Sequence, residues 1–175
     1  ANSISVDPDL HLFRRLYPVE IEPILSAALG NKNKLFFTDD DPTHFKTFGN
    51  NVTESEVAIH PTQDISSQNK NSLPIILNLK ELPAFLTERI QVNDETITIA
   101  GTSYPKSGHT FILTGQNWDG FKNQLLILSN DLESLPRIGQ LVPHYGKYSF
   151  LVFKGAKNVG KGQWAVKDSP LKKVF

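Results

Sequence analysis

A chain of 175 residues is long enough for one compact domain that buries roughly two-thirds of its unfolded surface without metal or disulfide staples. Eighteen basic and eighteen acidic side chains cancel with no block of like charge, which argues against nucleic acid as a partner. The absence of cysteine excludes thiolate metal sites, disulfides and thiol nucleophiles, and apolar runs such as LPIIL and FLVF fall far below the roughly 18 to 20 residues that cross a bilayer. No membrane insertion by this domain is therefore expected. The chain also contains no methionine, from which we expect a processed or excised portion of a longer polypeptide.

In chain order, residues 1–17 read as an extended lead-in. Ile21, Ile24, Leu25, Ala28 and Leu29 then share one helical face, with Pro23 tolerable in the first turn and Gly30 placed to end the helix. KLFF (Lys34 to Phe37) reads as a short strand, and Asp41-Pro42 as the N-cap and first position of a helix that carries Phe45 and Phe48 and stops before Gly49. VAIH (Val57 to His60) and LPIILNL (Leu73 to Leu79) are two further strands, separated by a polar stretch of loop composition that we expect to be mobile. Pro83 confines any helix in KELPAFLTERI to a start near Leu82. TITIAGTSY, HTFILTGQ and NQLLILSN are three strand candidates, and the apolar runs FIL and LLIL suggest coverage on both faces. Asn130 to Val142 predicts a last helix, capped by Asn130 or Ser134, that feeds a strand over Tyr148 to Phe153, and residues 155–175 read as a C-terminal tail. Strands interleaved with short helices indicate a single three-layer α/β domain with a mostly parallel or mixed sheet.

Several patterns could carry chemistry. LFFTDDDPT ends a strand in Asp39-x-Asp41-x-Thr43, the form used by haloacid-dehalogenase-type phosphatases, where one aspartate attacks phosphorus and a second serves as acid and base with Mg²⁺ nearby. Thr114, Lys122 and Asp131 follow in the order such enzymes use for their hydroxyl, lysine and acidic metal ligand, but a paired acid is missing from the last position. The plainer reading makes Asp41 a helix cap and its neighbours solvated turn residues. GAKNVGKG (Gly155 to Gly162) has the spacing of a phosphate-binding loop, yet Gly162 stands where Ser or Thr is needed, and no helix follows; a flexible loop is the better account. His11, His44, His60, His109 and His144 form no short-range ligand pair, and no G-x-S-x-G elbow is present. No metal or other cofactor is expected in this chain.

PHYGKYS brackets a turn with Pro143 and Gly146, and its His144, Tyr145, Lys147 and Tyr148 admit three uses: a structural corner, a contact surface for another domain, or a catalytic set. Taken with VDPDLHLFRRLYPVEIEPILSAALG (residues 6–30) and KGQWAVKDSPL (residues 161–171), PHYGKYSFLVF (residues 143–153) resembles the C-terminal region of bacterial peptidases of the M1, aminopeptidase N-like family. The three blocks occur in that group's order and bracket nearly the whole chain. His11 replaces an acidic residue of the pattern, and Glu22-Pro23 replaces two prolines. The zinc-binding HExxH and the GxMEN-type substrate motif are absent, so no catalytic residue of the family carries over. The resemblance implies a non-catalytic accessory domain, partnered by the catalytic part of the same polypeptide, where the zinc would reside. His144, Tyr145, Lys147 and Tyr148 are then candidates for the interdomain contact.

Overall fold

The computed structural model describes residues 3–5, 22–165 and 172–174. These divide into two compact units, one formed by residues 1–22 with 164–175 and the other by residues 23–163. In the first, strand β1 (Ser3–Ser5) pairs antiparallel with the C-terminal strand Lys172–Val174, Ser3 opposite Val174. The rest of the expected lead-in, the start of the first helix at Ile21 and residues 166–171 lie outside the described residues.

The second unit is an α/β fold on a seven-stranded mixed sheet. Its strands are β2 (Lys34–Phe37), β3 (Ile59–His60), β4 (Leu73–Leu77), β8 (His109–Trp118), β9 (Phe121–Ser129), β10 (Phe150–Lys154) and β11 (Lys157–Gly162), in the spatial order β11-β10-β8-β9-β4-β2-β3. The pairs from β3 to β9 are parallel and those from β9 to β11 antiparallel. A separate antiparallel sheet comprises β5 (Ile90–Val92), β6 (Thr96–Ile99) and β7 (Thr102–Pro105). The helices α1 (Leu25–Leu29), α2 (Thr43–Thr53), α3 (Ala84–Thr87) and α4 (Leu135–Leu141) are short.

Strand alternation sorts the core into two faces. Phe36, Ile75, Leu77, Ile112, Leu125, Ile127, Leu151 and Phe153 meet α1, α2 and α4 in one buried cluster. Phe37 and Ile76 point the other way, against Ile65 and Phe121, and α3 covers β8 on that side, where the Phe85 ring lies over Gly115. Three layers result, as the sequence pattern predicts.

Several local expectations change. α2 runs past Gly49 to Thr53, because Gly49 serves as a close-contact point beneath the Phe36 ring and not as a stop. TITIAGTSY is a hairpin, turned at Ala100 and Gly101, both with positive φ. The polar stretch after His60 is ordered as a 3-10 helix, Thr62–Ser67, whose Ile65 is buried; the Asp119 carboxylate accepts from Ser66 Oγ and Lys70 Nζ, each at 3.0 Å, and fastens it to the β8–β9 turn. GAKNVGKG, read as a loop opening a tail, forms the β10–β11 hairpin. Its Gly160 and Gly162 lie beneath the rings of Tyr104 and Phe150, which a Cβ would strike.

The last helix starts later than Asn130. Leu132–Ser134 is a 3-10 turn and α4 follows from Leu135, with Ser134 at the cap position but its hydroxyl donated to Asp131 Oδ2 at 2.6 Å. Gly139 of α4 sits against the α2 backbone; a Cβ there would meet the Phe48 carbonyl oxygen at 2.7 Å and its Cα at 3.0 Å. Alanine would gain about 1 kcal/mol of helix propensity, against about 1–3 kcal/mol for forcing apart two packed helices. Because the obstruction is backbone and cannot rotate away, Gly139→Ala is expected to lower stability by up to about 2 kcal/mol net, read as a lower urea midpoint at unchanged slope.

Candidate functional site

The carboxyl ends of β2, β4 and β9 lie side by side, and the chain leaves them toward different faces: into α2, toward α3, and into α4. Such divergence opens a crevice in α/β sheets. Here it is built around Asn78. LPIILNL predicts a strand to Leu79, but β4 ends at Leu77 and Asn78 turns left-handed at φ 50. Its amide replaces the missing ladder rungs: Oδ1 accepts from Ser129 N at 2.8 Å, and Nδ2 donates to Ser129 O at 3.0 Å and to Asp40 Oδ2 at 2.8 Å. Asparagine suits both demands, since it tolerates this backbone region and carries a donor and an acceptor.

Beyond Asn78 the crevice widens into a cleft of about 240 Å³ whose lining includes Leu79, Lys80 and Leu82 after β4, Val92 and Ile97 of the small sheet, Lys106, His109, Phe111 and the Leu128–Asn130 end of β9. His109 is buried, its Nδ1 within 2.8 Å of the Ser107 carbonyl and its ring 6.3 Å from Phe111 and 6.5 Å from Tyr104. With Nδ1–H donating to that carbonyl, Nε2 is left as the free polar atom of the ring. Ser129 Oγ pairs with Thr110 Oγ1 at 2.7 Å and accepts from Asp131 N at 3.1 Å.

The phosphatase-type residues are dispersed. Asp39 is exposed, and its carboxylate accepts from Thr62 N at 3.0 Å and Thr62 Oγ1 at 2.5 Å. Those bonds, the hydroxyl first, hold its carboxyl below the ordinary aspartate value, with Lys80 adding attraction against a small desolvation penalty. Asp41 accepts from Thr43 N at 2.8 Å and holds the turn into α2; bonding from Thr43 lowers its carboxyl likewise. Asp131 shares this end of the sheet but is engaged by Ser134. Thr114 is fully buried in mid-strand, its Oγ1 2.8 Å from the carbonyls of Pro23 and Ser149. Lys122, the second residue of β9, stands at the opposite end. Through the pairing of Phe36, Ile75 and Leu125, it stands six residues from Asp39 along the strands, about 20 Å.

The PHYGKYS corner divides its duties between backbone and side chains. Val142–Tyr145 is a 3-10 helix with His144 exposed. The carbonyls of Tyr148 and Gly146 accept from Leu25 N and Ser26 N, each at 2.8 Å, and so satisfy the open N-terminus of α1, which has no side-chain cap. Tyr145 packs edge-on to Phe153 with centroids 6.0 Å apart and lies 6.2 Å from Tyr148. Lys161 Nζ sits 5.4 Å and 5.2 Å from those two ring centroids, and Lys147 Nζ 5.3 Å from Tyr148.

Among the described residues no group of three or more histidine, aspartate or glutamate side chains could hold a metal ion, and no helix is long and apolar enough to cross a membrane. Sequence reasoning did not single out Asn78 and Lys80 as neighbours of Lys106 and His109, because they come from two separate segments; LN in LPIILNL was the available signal.

Asn78→Ala should cost about 2–4 kcal/mol by stranding the Ser129 amide and placing alanine at positive φ, while Asn78→Gly should cost about 1 kcal/mol less because it relieves only the backbone strain; urea titrations of both variants check this order. Asp39 contributes stability that is present above the ordinary aspartate range and lost as pH falls through its lowered folded value. Thr62→Val removes the hydroxyl bond, so the Asp39 carboxyl followed by ¹³C NMR is expected to titrate higher than in the unaltered chain. Searched against protein-family models and against curated proteins, the chain matches none.

Proposed function

We propose that this chain is a non-catalytic accessory domain of a zinc metallopeptidase resembling the M1 family, and that it meets the catalytic part of that polypeptide through the corner around Tyr145 and Tyr148. The observation that carries this reading is the unspent bonding capacity of the corner. Its carbonyls hold α1, yet the hydroxyls of Tyr145 and Tyr148 and the ammonium groups of Lys147 and Lys161 make no hydrogen bond or ion pair among the described residues. The rings themselves are half-buried against Phe153 and fixed in place. Rigid aromatic anchors with free polar tips lose little conformational entropy on binding and suit a partner surface rich in carbonyl and carboxylate acceptors. The same corner carries one of the three sequence blocks on which the resemblance rests.

The candidate catalytic side chains support a binding role as well. Asp39 and Asp41 accept bonds that hold the backbone at Thr62 and Thr43, and the lysine of the phosphatase order stands at the far end of the sheet.

Association of the chain with the separately produced HExxH-bearing part, measured by calorimetry, tests the reading. Tyr145→Phe and Tyr148→Phe keep the packed rings and remove one hydroxyl each, so each is expected to weaken association about three- to tenfold with unchanged thermal stability. Full-strength association by both variants, or none by the unaltered chain, overturns it.

A further inference from the structure

The cleft beyond Asn78 carries an inference that does not depend on the docking role. Its lining side chains include two ammonium groups, Lys80 and Lys106, and no carboxylate; the rest of the wall pairs an apolar part, with Leu82, Val92, Ile97 and Phe111, with a polar part made by Asn78, His109, Ser129 and Asn130. We infer that this cleft binds a small carboxylate with a hydrocarbon body, the carboxylate met by Lys106 and Lys80 and the hydrocarbon part covered by Leu82, Ile97 and Phe111.

Three physical points select this chemistry. Lys106 is half-buried and makes no ion pair among the described residues, so an incoming anion would meet a cation with part of its water already removed, where charge-assisted bonds are strongest. Lys80 is exposed and divides its attraction with Asp39, which makes it the weaker of the two. A phosphate dianion is a poorer match: the lining has no arginine, and α3, with four residues, offers no helix terminus to add donors. An amine would face two like charges. Catalysis is not implied, because Ser129 Oγ, the hydroxyl of the lining, is already engaged by Thr110 Oγ1 and Asp131 N.

Size narrows the ligand further. At about 240 Å³ the cleft is below the roughly 300–1,000 Å³ of sites that enclose drug-sized molecules. A short fatty acid or an arylalkanoic acid fits that space, with an affinity in roughly the millimolar range expected of so small a ligand.

The experiment is a ¹H–¹⁵N NMR titration of the full 175-residue chain with hexanoate, and in parallel with hexanamide, hexylamine and inorganic phosphate. Hexanoate is expected to give saturable shifts at the amides of 78–82, 106–111 and 128–130, and the other three compounds to give weaker ones or none. Lys106→Gln should weaken hexanoate binding about tenfold, Lys80→Gln by less, and Lys106→Arg should retain most of the affinity. Each variant's own spectrum reports that it is folded. The inference is overturned if hexanoate shows no saturation, if hexanamide, hexylamine or phosphate binds as well, if the shifts lie elsewhere, or if Lys106→Arg loses as much as Lys106→Gln.

Discussion

The interior strand β4 is buried at all five of its positions, and this double burial is the constraint from which the rest of the molecule follows. A strand with apolar side chains on both faces cannot meet water on either, so the sheet must be covered twice. Phe45, Phe48 and Ile138 of the helical layer serve one side, and Ile65 and α3 serve the other. Satisfying both faces sends the chain away from neighbouring strand ends in different directions, and the space between those departures cannot be filled by either layer. The crevice is thus a by-product of core formation before it is anything else.

What fills the rim of that crevice is backbone satisfaction. Beyond the last ladder rung, Asn78 supplies a side-chain copy of a peptide group to β9, Thr62 ties down Asp39, and Ser134 ties down Asp131. Carboxylates concentrated at the ends of parallel strands invite a catalytic reading, yet here Asp39 and Asp131 each have a nearby hydroxyl donor, and Asp39 also holds the Thr62 amide. The more suggestive chemistry lies in the cleft beyond, where Lys80 and Lys106 stand beside apolar and neutral polar side chains and no carboxylate joins the lining. A similar division holds at the tyrosine corner, where main-chain carbonyls support α1 while the rings pack against the core and carry Lys161 over them.

Much of this was legible in the residues. KLFF, HTFILTGQ and NQLLILSN combine β-branched or aromatic content with turn residues on either side, and each is a strand in the structure. The three-layer arrangement follows from runs such as LLIL that have no polar face to show to water. Glycine and asparagine were misread where their role depends on a distant neighbour. Gly49 reads as a stop signal, but its lack of a side chain answers the Phe36 ring; Asn78 sits in an apolar run, and only its pairing with Ser129 reveals why the strand ends one residue earlier. The cleft was not legible because its walls are drawn from four separate segments between Asn78 and Asn130, brought together by strand order, and strand order is not written in local periodicity.

The two edges of the large sheet differ in length but are equally unreceptive. β3 offers only two residues. On β11, Lys157, Val159 and Lys161 are exposed, and a register shift opposite Val152 and Phe153 distorts the outer ladder. Interrupted, cationic or very short edges are poor templates for further strands. Among the described residues the large sheet therefore has no receptive margin from which to extend by copying itself, and its edge-to-edge polymerisation is disfavoured by the shape of those margins.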